Sequence, residues 1–294
     1  MSTIIEPRDT LKPAAGALLR LWLPVGIAFL LMFVPTIQAQ FNGLWRGEDH
    51  LHQPISLAIA AWLFWMKRDT WLVQDAHPNW LLGVPLLVLG LAVYIIGRSQ
   101  DLPVLDIGSA LLVVAGVLFV MSGTRRALAM WYPVLFLAFI VPLPGAVLDT
   151  ILVPLKMLVS NIVENGLYQM GYPIARDGVV LNIGPYRMFI ADACSGLNSM
   201  ISLTAIGTLY TYIRNYPNKL QNLMLVLGIL PFAFIANIGR VAALVLSTYY
   251  GGDAVGQQVH DWAGALEIAV LMLGFLLFDN IVAFVFARVA RAHK

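Results

Sequence analysis

One residue of this chain has the chemistry of a nucleophile and no counterpart of its own type: Cys194, the only cysteine among 294 residues. It stands in Ala191-Asp192-Ala193-Cys194-Ser195-Gly196, where a polar, strand-like stretch (Gly171 to Ile190) gives way to an apolar run (Leu197 to Ile213). A thiol at the start of a helix meets backbone N–H groups and the positive end of the helix dipole, and both favour thiolate. A lone cysteine in an apolar protein is also commonly a small buried hydrophobe, so Cys194 needs partners before it means catalysis. Two residues further along the chain qualify. Arg240 stands inside the apolar run Ile229–Leu246, where an arginine costs at least about 2.5 kcal/mol and faces a cavity or a partner. His260 follows in a polar stretch beside Asp261.

Thiol attack on an amide needs a nucleophile, a proton shuttle and a group that holds negative charge. Cys194 would attack, and His260 would serve as base and then as acid toward the leaving amine. Arg240 is permanently charged, so it cannot be the base; it would stabilise the oxyanion or hold the thiolate. Asn237, three residues before Arg240, shares its helical face and would orient the guanidinium or donate a hydrogen bond. Asp192 and Glu267 are alternative structural partners for Arg240. Ser195 reads as a helix cap, because thiolate forms far more readily than alkoxide. His50 and His52 form an H-x-H without a further ligand nearby, and His77 stands apart, so no metal site and no cofactor is expected.

The elements that must position these residues are membrane spans. The chain is 60% hydrophobic and 12% charged, with mean hydropathy +0.79, about half the charge of a soluble domain. The net charge of +2 comes from dispersed short clusters, which excludes a nucleic-acid footprint. One cysteine allows no internal disulfide. The first apolar run lacks a convincing cleavage site and reads as a retained anchor. At about 20 apolar residues per crossing, eight windows emerge: Leu18–Ile37, Pro54–Met66, Trp80–Gly97, Val104–Met121, Ala127–Pro144, Leu197–Ile213, Leu220 to about Tyr249, and Trp262–Ala287. Pro142 and Pro144 stop the fifth. The polar loop containing Val255–Asp261 separates the last two.

Between the fifth and sixth windows, Val147–Tyr168 has near-helical apolar spacing interrupted by Asp149, Lys156, Asn161, Glu164 and Asn165. This predicts an amphipathic helix at the interface, with a re-entrant or full span as the alternative. Tyr172–Ile190, with turn signals at Arg176-Asp177-Gly178 and Ile183-Gly184-Pro185, predicts one or two short strands in a hairpin. The expected fold is thus an all-α polytopic membrane protein with about eight spans, an outside interfacial helix and a short β-hairpin before the sixth. Residues 1–144 would hold five spans and 145–294 the catalytic region, together one integral membrane domain.

Basic residues set the orientation, since cytoplasmic loops carry the excess of Lys and Arg. With both termini inside, Arg8, Lys12, Arg20, Lys67, Arg68, Arg125, Arg126, Arg214, Lys219 and the tail residues Arg288, Arg291 and Lys294 are cytoplasmic. Tryptophans at 45, 62, 65, 71, 80, 131 and 262 fall mostly near span ends, as an aromatic belt does. On this topology Cys194, Arg240 and His260 all approach the outer membrane face.

The run Ala193-Cys194-Ser195-Gly196-Leu197, the later Asn237-Ile238-Gly239-Arg240, and His260 after a glycine-bearing loop resemble the exosortase/archaeosortase family. The resemblance covers most of the chain and is strongest from Pro142 to the eighth span; a B-type exosortase is the subfamily expected. It implies a multi-pass cysteine peptidase or transpeptidase of the bacterial inner membrane, with its active site facing the periplasm. By resemblance Cys194 is the nucleophile and Arg240 and His260 its catalytic partners. The implied substrates are exported, membrane-anchored proteins with a carboxy-terminal sorting tag, a Pro-Glu-Pro-type motif followed by one transmembrane helix and a basic tail, in systems linked to exopolysaccharide production. The competing class is a transporter or a scaffold of polysaccharide export, in which Arg240, Asn237 and Glu267 would line a pathway; no inverted repeat of the transporter kind is evident.

Overall fold

The computed structural model describes residues 15–46, 52–72, 77–189 and 196–292. Among the expected residues, His50, Asp192, Cys194 and Ser195 lie outside this set, as do Arg8, Lys12 and Lys294 of the charge count; so does the side chain of Glu267. The chain divides into two compact units, Met1–Pro142 and Leu143–Lys294.

The first unit is built from α1 (Ala15–Asn42), α2 (His52–Met66), α3 (Arg68–Trp71), α4 (Trp80–Ser99), α5 (Pro103–Ser122), α6 (Thr124–Ala129) and α7 (Trp131–Phe136), the last continued by a 3-10 turn, Leu137–Ile140. Its centre is the α4–α5 hairpin. Gly83, Gly90 and Gly97 recur at seven-residue intervals on α4 and are all buried. A Cβ at Gly97 would lie 2.3 Å from the backbone nitrogen of Asp106, and one at Gly90 would lie 2.8 Å from that of Val113. Glycine therefore lets the two backbones touch, the close approach that membrane helices use in place of a hydrophobic drive. At one end Asp106, 5% exposed, accepts a hydrogen bond from Thr36 Oγ1 at 2.9 Å and pairs with Arg98 at 3.5 Å, tying α1 to this hairpin.

The fifth expected span, Ala127–Pro144, is not one helix. Pro133 has no N–H to give Ala129, and its ring crowds that carbonyl. The helix stops at Ala129 and restarts at Trp131. Val141 is then extended (ψ 117°), as the residue before a proline must be, and the run ends. The second window is occupied by a helix of 15 residues.

The second unit begins with α8 (Gly145–Gln169) and a three-stranded antiparallel sheet in the order β1 (Ile174–Asp177), β2 (Val180–Ile183), β3 (Tyr186–Phe189). The expected hairpin is thus extended by a third strand. Both turn signals are realised, with Gly178 at φ 62° and Gly184 at φ 54°. Proline at 185 cannot take positive φ, so the second turn is of the II′ kind that matches the twist of a hairpin. Val159, Val163 and Leu167 form an i, i+4, i+8 stripe on α8 that packs against Ile174, Leu181 and Ile183 of the sheet. Val241 and Val245 close the same core from the long helix that follows.

Helix α9 (Gly196–Arg214) fills the sixth window. The remaining helical stretch, Lys219–Ala292, breaks at Gly252 (φ 77°, ψ 179°), giving two arms, α10 (219–251) and α11 (253–292). The loop expected over Val255–Asp261 is therefore helical, and the reversal lies at Gly252. The arms run antiparallel: a Cβ at Gly228 would lie 2.5 Å from the Phe278 ring, and one at Gly256 would lie 2.2 Å from Thr248 Oγ1.

Among the described residues, four stretches are long and apolar enough to cross a membrane: Arg20–Asn42, Trp80–Ser99, Pro103–Ser122 and Lys219–His260. They fall on the first, third, fourth and seventh expected windows. The chain is a helical membrane protein, with a small three-stranded sheet among the described residues.

Candidate active site

The candidate residues that the structure describes lie on the α10–α11 hairpin. Arg240 is half-buried on α10 and Asn237 sits one turn before it, fully buried at 0% exposure. His260 is half-buried on α11. Neither Arg240 nor His260 stands at a helix end. Helix α10 runs about 18 Å past Arg240 before the reversal, and His260 comes about 12 Å after it, at 1.5 Å per residue. The tip beyond Arg240 carries the sheet: Val241 and Val245 are in its core, and the Tyr249 ring lies 3.3 Å from where a Cβ of Gly184 would stand. Tyr172 and Tyr250 share a hydroxyl hydrogen bond at 2.9 Å. The outer edge of β1 is closed by Glu164, which accepts from the Arg176 backbone N–H and from its Nε, both at 3.0 Å.

Contacts lower in the bundle fix the relative heights of the three helices. Gly207 on α9 lies against Ile229 on α10, and a Cβ at Gly207 would stand 2.8 Å from that side chain. Eleven residues back along α9 is Gly196, and eleven residues forward along α10 is Arg240. Tyr210 on α9 stacks on Phe275 and bonds Asp279, both on α11. Fourteen residues back from Tyr210 is again Gly196, and fourteen back from those two are positions 261 and 265. The start of α9, Arg240 and the stretch just past His260 thus fall at one level of the bundle. Small residues make this close packing: at both Gly207 and Gly228 a side chain would collide with a neighbour's at under 3 Å.

Asn237 is the electrostatic oddity of this level. Its amide oxygen and nitrogen are both buried and have no hydrogen-bond partner among the described residues. An unpaired buried amide is costly.

At the other end of the same bundle is a cluster that was not expected from residue types. Asp279, 2% exposed, accepts hydrogen bonds from Tyr210 Oη at 2.5 Å and Tyr216 Oη at 3.1 Å, and Arg214 Nε lies 3.6 Å from the same oxygen. Burial and the bond to Asp279 push the Tyr216 phenol above its ordinary pKa, against the lowering pull of Arg214. A signal for it exists in the sequence: an aspartate in the apolar run Leu271–Phe286 is as conspicuous as the arginine in Ile229–Leu246.

A multi-pass helical membrane protein with a fully buried amide and an arginine within an apolar helix is the class these observations define. The family model for transmembrane exosortases matches residues 44–277. The chain belongs to the transmembrane exosortase family. No curated protein and no solved structure matches it.

Proposed function

We propose that this protein is a membrane cysteine peptidase or transpeptidase, with Cys194 as nucleophile and Arg240 and His260 as its partners. The Cys194 thiolate attacks the scissile carbonyl carbon, and the new oxyanion is held by the Arg240 guanidinium. His260, carrying the thiol's proton, gives it to the leaving amine as the C–N bond breaks. The thioester on Cys194 then passes its acyl group to water or to an amine, which restores the thiol. Asn237 offers its unpaired amide to the substrate backbone, and Ser195 and Asp192, which flank Cys194 in the sequence, are supporting residues.

The observation that carries this reading is the common level of the start of α9, Arg240 and the stretch just past His260. Cys194 precedes Gly196 by two residues in the sequence, and on this reading its thiol acts at that level. Helix α10 supports the location as well. A hydrocarbon core of about 30 Å, counted from Lys219, ends close to Arg240. The site would then lie at the membrane boundary, with the sheet outside it.

The same reading makes the substrates membrane-anchored proteins with a carboxy-terminal Pro-Glu-Pro-type sorting tag. It gives eight spans, cytoplasmic termini, a periplasmic site in the bacterial inner membrane, and a link to exopolysaccharide and surface assembly. A substrate held by one transmembrane helix presents its motif just outside the bilayer. Because Glu164 closes β1, an extended substrate strand would add beside β3, the strand that leads into Cys194. The experiment is co-expression of a tagged substrate with wild type, Cys194→Ala and Cys194→Ser. Cleavage by wild type and intact tag with both variants supports the reading; processing by Cys194→Ala removes it.

A further inference from the structure

Asp279 is a carboxylate in an apolar helix, and its partners come from another helix and the connection that follows it. Tyr210 is on α9, Arg214 is the last residue of α9, and Tyr216 is in the connection to α10. Asp279 itself is on α11, nineteen residues after His260. Its Oδ2 takes every one of these contacts, while Oδ1 has no partner among the described residues. The connection is itself braced: Asn222 on α10 accepts from the Tyr216 backbone N–H at 3.1 Å and donates to its carbonyl at 2.8 Å. One carboxylate oxygen therefore gathers α9, the start of α10 and α11 at a single point. Around it, Leu225, Ile229, Phe275 and Val282 form a buried core with Tyr210 and Tyr216 against its edge.

Two of these helices carry Arg240 and His260 toward the opposite end, and the third, α9, begins two residues after Cys194 in the sequence. From Arg214 back to Gly196 is about 27 Å of helix, from Lys219 to Arg240 about 32 Å, and from Asp279 back to His260 about 28 Å. Apolar packing alone leaves the axial register of membrane helices weakly specified, because lipid tails are as apolar as the partner helix. A charge-assisted hydrogen bond to a buried carboxylate specifies it well.

We infer that Asp279 is a positioning residue: by gathering Tyr210, Tyr216 and Arg214 it fixes the height of α9 against α11, and so the meeting of Cys194 with His260 and Arg240. The inference rests on the peptidase reading for its catalytic consequence, and on the structure alone for the register. A slip of one residue moves α9 by about 1.5 Å, and a misplacement of about 1 Å at reacting atoms costs on the order of 100-fold in rate.

The test uses the full chain in lipid nanodiscs. Cleavage of a membrane-anchored tagged substrate is measured beside the pH profile of iodoacetamide alkylation, which reads Cys194 alone because no other thiol exists. The variants are the isosteric Asp279→Asn and the milder Tyr210→Phe. For Asp279→Asn, kcat falls about 10- to 100-fold with KM held within about twofold. The alkylation midpoint rises by about one pH unit as the thiolate loses its cationic neighbours. Tyr210→Phe moves both in the same direction by less, and the melting temperature of each stays within a few degrees of wild type. Wild-type kcat and alkylation profile in both variants overturn the inference, as does a loss that only tracks the amount of folded protein. If wild type cleaves no substrate yet Asp279→Asn still shifts the thiol profile, the clamp stands and the peptidase reading falls.

Discussion

The two units use glycine for opposite purposes. On α4, each of Gly83, Gly90 and Gly97 lies within 3 Å of α5 backbone once a Cβ is imagined there. Backbone cannot move aside, so these positions serve rigidity. In the second unit the comparable glycines face side chains: Gly207 faces Ile229, Gly228 faces Phe278 and Gly256 faces Thr248. There the close approach brings helices that carry polar residues to one another. Buried polar atoms without a partner among the described residues occur in both units: Trp22 Nε1 and Gln40 Oε1 in the first, the Asn237 amide and Asp279 Oδ1 in the second. What differs is their place. Asn237 stands one turn before Arg240 on α10, whereas the buried carboxylate of the first unit, Asp106, is satisfied by Thr36 and Arg98.

That contrast can be broken by substitution. Arg240→Gln and His260→Ala are expected to lower cleavage by about 10²- to 10³-fold, the scale of losing an oxyanion or proton-transfer partner. Their melting temperatures should match wild type in a thermal shift assay; a loss of fold instead would make these residues structural. Gly252→Ala comes next. At φ 77° and ψ 179° the backbone is in a region reserved for glycine, so about 1–3 kcal/mol of strain should shift the α10–α11 reversal. Cleavage should fall further than stability does, because His260 is two turns beyond the bend. Gly97→Ala is expected to cost about 1–3 kcal/mol of stability through overpacking, read as a lower melting temperature, with turnover per folded molecule unchanged. Smallest is Thr36→Val, which removes one donor from the buried Asp106 carboxylate and should cost about 1–2 kcal/mol. If Gly97→Ala and Thr36→Val abolish turnover without lowering stability, the division of labour between the units is wrong.

Much of the fold is legible from residue types. The apolar windows mark the helices, Gly178 and Gly184 announce their turns, and Arg240 stands out because a charge in an apolar run needs a reason. The differences have physical causes. A hydropathy window averages side chains and is blind to one missing N–H, so Pro133 splits a span that composition makes continuous. Val255–Asp261 is polar enough to read as a loop, yet a helix end exposed to water can be polar at little cost. The Gly251-Gly252 pair is the better marker of the reversal, and its position puts His260 on a helix shaft instead of in a loop. Asp279 is as conspicuous in its apolar run as Arg240 is, but its partners Tyr210, Arg214 and Tyr216 lie more than sixty residues earlier, so the sequence marks the carboxylate without showing the cluster. The charge-based topology brings Cys194, Arg240 and His260 toward one membrane face, but the register of Gly196, Arg240 and the His260 region is not readable, since it depends on contacts between helices far apart in sequence.

The most direct measurement is mass spectrometry of the protein after exposure to a tagged substrate, with and without the Cys194 thiol. The account predicts a truncated substrate and a hydroxylamine-sensitive adduct on the peptide containing Cys194, both absent from Cys194→Ala. Equal truncation by Cys194→Ala, or an adduct on any other residue, would contradict it.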